Sequence, residues 1–213
     1  KPATSTALVA ARMIELFVES AALLPRVISF VAGAPGDLLD HLTGQDVLAF
    51  TGGSATGVAL RAGRATLAHS VRVNVEADSL NAAVLTPDVL EGSEVLNLFI
   101  GDVVRDMTQK AGQKCTAIRR VYVPKEKLDL MLGLLVERLA AVKVGDPARD
   151  DVTMGPLATA QQLRDVRAGI ARLASCARVV HGTTDDIEPI GCPRGQGYFI
   201  GPVLLASSDP HPG

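Results

Sequence analysis

The sequence predicts an α/β protein built on a parallel β-sheet, and three observations carry this prediction. Segments with apolar residues at helical spacing alternate with short segments rich in β-branched residues. Glycine turns follow the predicted strands, at residues 33–36 and 51–54. No internal repeat or low-complexity tract interrupts the alternation. Such an alternation, with glycine turns at strand ends, is typical of parallel sheets covered by helices.

The first part of the chain contains the clearest helix–strand alternation. Thr4, Ser5 and Thr6 offer N-cap oxygens before a helix of about four turns, whose apolar residues begin at Leu8. The following elements are strands at residues 27–31, 47–50 and 71–75 and short helices at residues 37–42 and 55–62. We therefore expect residues 1–75 to form one α/β unit.

A second α/β unit is predicted over residues 76–213. From Val95 the apolar residues recur every three to four positions and form a broad stripe on a helix that ends near Lys110. The following elements are a strand at 119–123, a helix at 125–141, one or two helices at 159–177 and a strand at 178–181. The apolar stripe predicts that the first of these helices packs on a core.

Composition restricts the classes of function. The 213 residues are 47% hydrophobic and 21% charged, which is typical of a globular protein. The formal net charge of −2, without a basic block, gives no reason to expect nucleic acid or an anionic membrane as a partner. No apolar run approaches the roughly 20 residues that span a bilayer. We expect a soluble, cytoplasmic protein that acts on a small molecule.

Cysteines and histidines do not predict a metal site. Cys115, Cys176 and Cys192 have no CxxC spacing, so the simplest expectation is reduced thiols. Cys176 lies in an apolar helical context and is predicted to be a core residue. The four histidines, His211 near the end of the chain among them, lack metal-ligand spacing and favour surface or capping roles.

Two residues suggest covalent chemistry. Cys115 follows a glycine in a polar turn directly after the long amphipathic helix, a position that suits a nucleophile better than a core residue. Glu76 ends an alternating strand and could serve as a base. Lys110, Lys114 and the adjacent Arg119 and Arg120 could supply the positive potential that a reactive thiolate needs. Together they suggest attack by the thiol followed by hydrolysis.

Seven short motifs, read in order, resemble the aldehyde dehydrogenase superfamily over nearly the whole chain. They are Lys1-Pro2, Phe50-Thr51-Gly52, Glu76, Gly112-Gln113-Lys114-Cys115, Gly145-Asp146-Pro147, Met154-Gly155-Pro156 and Tyr198-Phe199-Ile200-Gly201-Pro202. The resemblance implies the aldehyde dehydrogenase fold, with part of a Rossmann-like cofactor domain at residues 1–75 and part of the catalytic domain at 76–213. It also implies that Cys115 attacks the aldehyde and that Glu76 activates the water which releases the acid.

The residues after Glu76 indicate a branch of the superfamily. Most members continue with a Leu-Gly-Gly-Lys type of sequence, whereas this chain continues with Ala77-Asp78-Ser79-Leu80-Asn81. Together with residues 111–120, this segment resembles the semialdehyde dehydrogenases of aerobic aromatic degradation through coenzyme A thioesters. The phenylacetate-pathway members, ring-opening enzymes fused to an oxepin-CoA hydrolase domain of the enoyl-CoA hydratase type, are most similar. The benzoyl-CoA-pathway members are the alternative.

The resemblance also implies a dinucleotide cofactor. Lys1 matches a family lysine that reaches the adenosine ribose or its phosphate. Thr4 stands where NAD-preferring members often carry a glutamate, which favours NADP, with NAD as the alternative. Gly53 stands where the Phe-Thr-Gly-Ser turn of the family usually has serine. The other residues implied to line the cofactor are Gly33, Gly36, Thr51, Gly52 and Ala77.

Two further functions stay open at this stage, namely a CoA-acylating dehydrogenase and a non-catalytic binding or assembly module. The chain begins with Lys1 rather than methionine, so we expect an internal segment of a longer protein. The resemblance places the family's oxyanion asparagine before this segment and a nicotinamide-ribose segment after it. We therefore expect the segment alone to be weakly active or inactive, and the parent protein to be a homo-oligomer with a small-molecule aldehyde, a CoA thioester, as substrate.

Overall fold

The computed structural model describes residues 1–24 and 26–209, so most of the predicted loop at 209–213, His211 included, lies outside the described residues. The chain divides into two compact units, Lys1–Asp78 and a second that begins at Ser79. Parallel strand pairs occur in both units, which confirms the predicted α/β class. The two units are described separately below.

In the first unit, two parallel strands are joined by helices. Strand β1 pairs with β2 so that Thr51 lies opposite Glu76 and Gly52 opposite Ala77. The elements are helix α1 (Ala7–Glu19), β1 (Val47–Gly52), α2 (Ser54–Arg61), α3 (Arg64–Ala68) and β2 (Arg72–Ala77), with short 3-10 turns at Thr4–Thr6 and Leu38–His41. A β–helix–β connection of this kind brings the carboxyl ends of both strands to one edge.

Close packing of α2 on the sheet depends on a glycine. A Cβ built on Gly57 would lie 2.6 Å from Cγ1 of Val75 in β2, closer than side-chain atoms approach each other. Glycine at this position therefore allows α2 to lie directly on the strand that carries Glu76.

Two local predictions for this unit are wrong. Residues 27–31 do not form a strand; Val27 is 63% exposed and Ile28 41% exposed. An apolar β-branched run needs a neighbouring strand to pair with, and none pairs with this run among the described residues. Nor do the threonine side chains cap α1, because Thr6 Oγ1 donates to the carbonyl of Ala3 instead.

The described residues of the second unit form three α-helices, two short 3-10 helices and two strand pairs. Strands β3 and β4 are parallel, whereas β5 and β6 are antiparallel. The elements are β3 (Asn81–Val84), α4 (Glu94–Thr108), β4 (Ile118–Tyr122), α5 (Leu128–Ala140), α6 (Ala160–Ala174), β5 (Arg178–His181) and β6 (Leu204–Ala206). The sequence predicted neither β3 nor β6, because both are short and lack strong alternation.

A core in the second unit holds α4 and α5 against β3 and β4. Val103 and Met131 are fully buried, and they form one cluster with Leu85, Leu96, Ile100 and Leu135. Ser93 is the N-cap of α4, and its hydroxyl accepts a hydrogen bond from the Leu96 amide at 3.2 Å. The predicted apolar stripe of α4 is therefore confirmed as a core-facing stripe, and the segment after α4 starts from a rigid base.

Among residues 1–24 and 26–209, no helix has both the length and the apolar character needed to cross a membrane. The same residues contain no group of three or more His, Cys, Asp or Glu side chains placed to hold a metal ion.

Candidate active site

The backbone reverses sharply between α4 and Cys115. After α4 a 3-10 turn covers Gln109–Gly112, and Lys110, Ala111 and Gly112 all have left-handed φ angles of 54°, 53° and 71°. A Cβ on Gly112 would lie 3.3 Å from the Met107 carbonyl oxygen, so this position favours glycine for both space and conformation. The turn carries the chain from the end of a buried helix to an exposed cysteine.

Two side chains at the start of the neighbouring parallel strand β3 hold the carbonyl group of Cys115. Ser79 donates its hydroxyl to this oxygen, and Nδ2 of Asn81 donates to it at 2.7 Å. The same amide nitrogen lies 3.1 Å from the carbonyl oxygen of Ala117, whose side chain is fully buried. The backbone on both sides of Thr116 is thus fixed by one asparagine.

Asp106, near the end of α4, binds both sides of the loop that carries Cys115. Its carboxylate lies 2.6 Å from Nζ of Lys114 and accepts the amide hydrogen of Ile118 at 3.0 Å. Asp106 is only 8% exposed. The hydrogen bond from Lys114 lowers the pKa of Asp106 below its ordinary value, with a further contribution from the Ile118 amide. The carboxylate is therefore a charged, nearly buried link between α4, the loop and β4.

Gln113 and Arg119 complete the loop. Gln113 donates to the Lys110 carbonyl at 2.8 Å and accepts the amide hydrogen of Ala158 at 3.0 Å, which ties the loop to the segment around Pro156. Arg119 donates to the Gly112 carbonyl at 2.8 Å. Lys114 and Arg119, which we expected to supply positive potential to the thiol, are thus engaged in holding the loop.

The three cysteines differ in their surroundings. Cys115 is exposed at the end of the loop, and Cys192 is half-buried. Cys176 is also exposed, so its predicted core position is wrong. It follows directly after α6, where its Sγ lies 3.3 Å from the Leu173 carbonyl, and a residue beyond the last helical turn leaves the apolar face of the helix. An exposed cysteine outside the loop provides an internal reference for Cys115.

Glu76 lies in the first unit, as the next-to-last residue of β2, and it is exposed. Two residues later, Asp78 adopts a left-handed φ of 51°, and its carboxylate accepts the amide hydrogen of Ser54 at 3.1 Å. Since Gly53, the N-cap of α2, has no side chain to offer, Asp78 caps this helix from a neighbouring strand. Glu76 therefore stands at the carboxyl edge of β1 and β2, next to the first turn of α2.

Most of the cofactor residues predicted in the first unit are exposed, although a Cβ on Gly52 would overlap the Phe50 ring. Thr51, Gly52 and Gly53 are exposed at the carboxyl ends of the parallel strands, and a Cβ on Gly53 would meet nothing within 4 Å. Gly33 and Gly36 have left-handed φ angles of 92° and 60° in exposed turns, so the turn conformation alone accounts for glycine at these positions.

An exposed backbone at the carboxyl edge of a parallel sheet, next to a helix N-terminus, suits the phosphates of a dinucleotide. Lys1 and Thr4 are also exposed, and Nζ of Lys1 donates a hydrogen bond to the neighbouring Pro2 carbonyl. These residues fit a dinucleotide. Ala77, which pairs with Gly52, lies at the same edge.

Residues 1–212 match the model of the aldehyde dehydrogenase family. The chain belongs to this family. Members of this family are oxidoreductases, and the predicted fold and enzyme class are therefore confirmed.

Individual relatives agree with this assignment. The chain is 42% identical to 3,4-dehydroadipyl-CoA semialdehyde dehydrogenase from Aromatoleum evansii over 96% of the chain and 40% of that protein. It is similar to the crystal structure of lactaldehyde dehydrogenase from Escherichia coli, with a TM-score of 0.76 and 28% identity over 92% of this chain and 39% of that one. It is equally similar to 1-pyrroline-5-carboxylate dehydrogenase from Thermus with bound NAD, with a TM-score of 0.76 and 27% identity over 93% of this chain and 37% of that one.

The chain thus spans about 40% of the length of the curated relatives that it matches. The predicted resemblance to the semialdehyde dehydrogenases of aromatic degradation is confirmed by the relative from Aromatoleum evansii.

Sequence reasoning missed four residues that shape the Cys115 loop: Ser79, Asn81, Asp106 and Gln113. Asp106 could have been recognised from the sequence, because it is a charged residue on the apolar stripe of α4 between Val103 and Met107. The sequence also indicated Ser79, which replaces a glycine of the common Leu-Gly-Gly-Lys sequence with a hydrogen-bonding side chain.

Proposed function

We propose that the protein which carries this chain oxidises a CoA-linked semialdehyde to the carboxylic acid, with Cys115 as the nucleophile. The observation that carries the proposal is the Cys115 loop, in which an exposed thiol follows a backbone fixed by hydrogen bonds on both sides. A structural cysteine needs no such loop. A nucleophile does, because attack on a carbonyl carbon requires a set distance and direction.

The roles of the two side chains follow from the chemistry. The thiolate sulfur of Cys115 forms a bond to the aldehyde carbon and gives a thiohemiacetal. When bound, a dinucleotide would supply the oxidising power as a hydride acceptor, and loss of the hydride would convert the thiohemiacetal on Cys115 to a thioester. Glu76 takes a proton from water, the hydroxyl adds to the thioester carbon, and the carbon–sulfur bond breaks to release the acid and the thiolate. The balance is one aldehyde and one water converted to one acid and one proton, with one hydride passed to the dinucleotide.

The substrate class rests on similarity. The relative from Aromatoleum evansii, by its name, acts on the semialdehyde of 3,4-dehydroadipyl-CoA, and identity of 42% covers the Cys115 loop and the segment after Glu76. We therefore propose a semialdehyde linked to coenzyme A from aromatic degradation. The phenylacetate pathway is our proposal for its source, and the benzoyl-CoA pathway is the alternative to be tested with the corresponding semialdehydes.

NADP is our proposal for the cofactor. No carboxylate stands at Thr4 to repel a 2′-phosphate, and the exposed Lys1 ammonium lies three residues away in sequence. The Thermus relative binds NAD, so the experiment must compare both dinucleotides.

The test uses the full-length protein with a CoA-linked semialdehyde and either NADP or NAD. We expect Cys115→Ser to remove turnover, and Glu76→Gln to slow release of the free acid while a single turnover still forms the reduced dinucleotide. Cys176→Ser serves as the control and should retain full activity. Full activity of Cys115→Ser would contradict the proposal. Acyl-CoA as the product would instead show a CoA-acylating dehydrogenase, and absence of any turnover in the unmodified protein would favour the binding module.

A further inference from the structure

We infer that Asn81, assisted by Ser79, is a positioning residue that sets the orientation of the Cys115 thiol. The inference rests on the proposed role of Cys115 as the nucleophile. It assigns a function to the segment after Glu76, which the comparison with known proteins does not explain.

The hydrogen bonds of Asn81 determine which way its amide faces. Nδ2 lies 2.7 Å from the Cys115 carbonyl oxygen and 3.1 Å from the Ala117 carbonyl oxygen. Carbonyl oxygens only accept hydrogen bonds, so the NH2 group and not the amide oxygen must face them. The two N–H groups therefore bind two backbone carbonyls that are two residues apart.

Ser79 reinforces the first of these bonds. Its hydroxyl donates to the Cys115 carbonyl, and its oxygen lies 3.3 Å from Nδ2 of Asn81. Both acceptor sites of the Cys115 carbonyl are thus used by side chains of one short segment. Rotation of the peptide group after Cys115 would break both bonds, so the ψ angle of Cys115 is fixed. These bonds therefore restrict the backbone from which the thiol projects.

Asn81 is itself rigidly held. It is the first residue of β3, where it lies opposite Ile118, and the register shifts directly after it because Ala82 lies opposite Arg120. An irregularity of this kind changes the direction of neighbouring side chains. The strand leads to Leu85, which is 4% exposed in the core with α4 and α5. The Cys115 carbonyl is therefore connected through one side chain to the best-packed part of the second unit.

The backbone hydrogen bonds of the loop run from Gln113 to Lys110, from Lys114 to Gly112 and from Ala117 to Lys114, and the Cys115 carbonyl is bound instead by the side chains of Ser79 and Asn81. Lys110 and Ala111 have left-handed conformations, which are unfavourable for L-residues. Cys115 lies between this turn and β4, outside both α4 and the strand. Without the side-chain bonds, the Cys115 peptide would be free to adopt other orientations.

The test compares four variants of the full-length protein: Asn81→Asp, Asn81→Ala, Ser79→Ala and, as the matched control, Asn97→Ala on the exposed face of α4. Asn81→Asp keeps the shape but places an acceptor against two carbonyl oxygens. We expect it to lower kcat by about 10²-fold with KM changed less than about threefold, since a misoriented nucleophile slows the chemical step. We expect losses of about tenfold for Asn81→Ala and of about threefold for Ser79→Ala. Asn97→Ala should match the unmodified protein.

Two further readouts separate positioning from a structural role. The alkylation rate of Cys115 is measured by peptide mass spectrometry, with Cys176 of the same molecule as the reference, and thermal unfolding is measured for each variant. We expect the Asn81 variants to change the Cys115 rate and leave the Cys176 rate unchanged. Combining Ser79→Ala with Asn81→Ala should give a loss smaller than the product of the separate losses, because both side chains bind one carbonyl.

Unchanged kcat and unchanged Cys115 alkylation in both Asn81 variants would overturn the inference, whether or not unfolding shifts to lower temperature. If an Asn81 variant does not fold, Ser79→Ala decides: full kcat with an unchanged Cys115 rate contradicts the inference. These results are distinct from failure of the proposed function, which would appear as retained turnover in Cys115→Ser.

Discussion

The Cys115 loop in the second unit and the glycine turn at residues 51–53 in the first unit are both exposed, but they are held in opposite ways. Side chains from three elements bind the loop, through Asn81, Asp106 and Arg119. At the turn, Asp78 is the side chain that binds the first amide of α2. The contrast suits the two tasks that we propose: covalent attack needs a fixed direction, whereas dinucleotide phosphates need accessible backbone amides.

Burial shows the same contrast. In the second unit, Val103, Met131 and Leu139 are at most 1% exposed. Among the described residues of the first unit, Ala65 and Val71 are the apolar side chains classed as buried, and Leu8 of α1 is 85% exposed. The core of the second unit therefore provides the rigid support for the loop, and the first unit stabilises its turn mainly through β1, β2 and α2.

The largest expected effect tests this difference in burial. Leu135 is 3% exposed and belongs to the core cluster, so Leu135→Ala should lower the free energy of unfolding by about 2–5 kcal/mol through lost burial and a cavity. The matched change Leu8→Ala should alter it by less than about 0.5 kcal/mol. Chemical denaturation of the 213-residue chain checks both values. Equal losses would show that the two units do not differ as described.

A smaller effect tests the two glycine-containing segments. Gly112→Ser puts a side chain at a φ of 71° with the Met107 carbonyl 3.3 Å from its Cβ. This should cost about 1–2 kcal/mol. Gly53→Ser introduces a preferred N-cap residue at an unstrained φ of −75°, where nothing lies within 4 Å, and should be neutral or stabilising by a few tenths of a kcal/mol. Denaturation of the two variants measures the difference, and a larger loss for Gly53→Ser would contradict the account of the turn.

The smallest effect concerns acid stability of the loop. The pKa of Asp106 in the folded unit is lowered below its ordinary value of 3.8, chiefly by the hydrogen bond from Lys114. The ionised carboxylate therefore stabilises the folded state above that value, and the contribution is lost as the pH falls through the lowered pKa. We expect the free energy of unfolding to fall between about pH 5 and about pH 2, and Asp106→Asn to show a flatter curve over that range.

The control for the pH experiment is Asp102→Asn, since Asp102 makes an exposed ion pair with Arg105 on the same helix. Its pH curve should follow that of the unmodified chain, because exposed pairs contribute little to stability. An Asp106→Asn curve parallel to the unmodified one would show that the carboxylate does not stabilise the loop.

Much of the fold was predictable because local patterns and the final packing agree. The stripe from Val95 to Met107 became a core-facing helix, and the alternation from residue 71 became β2. Residues 27–31 looked like a strand but lack a paired neighbour among the described residues, and a pattern cannot supply one. Cys176 followed an apolar pattern yet lies beyond the end of α6, where the pattern no longer determines burial.

The candidate site was predictable only in part. The motifs around Cys115 and Glu76 identified two side chains, but not what holds them. Asn81 binds Cys115, which lies 34 positions later in the sequence. Asp106 binds Ile118, which lies 12 positions later. Contacts over such separations depend on the β3–β4 pairing, and β3 was not predicted. Roles that depend on tertiary contacts appear only once the fold is known.

The most direct test of the account is the relative reactivity of Cys115 and Cys176 in the full-length protein. Both cysteines are exposed, so accessibility alone would give similar alkylation rates near neutral pH. If the loop positions Cys115 as a nucleophile, iodoacetamide should modify Cys115 at least about tenfold faster than Cys176. Peptide mass spectrometry measures both rates. Equal rates for the two thiols would contradict the account.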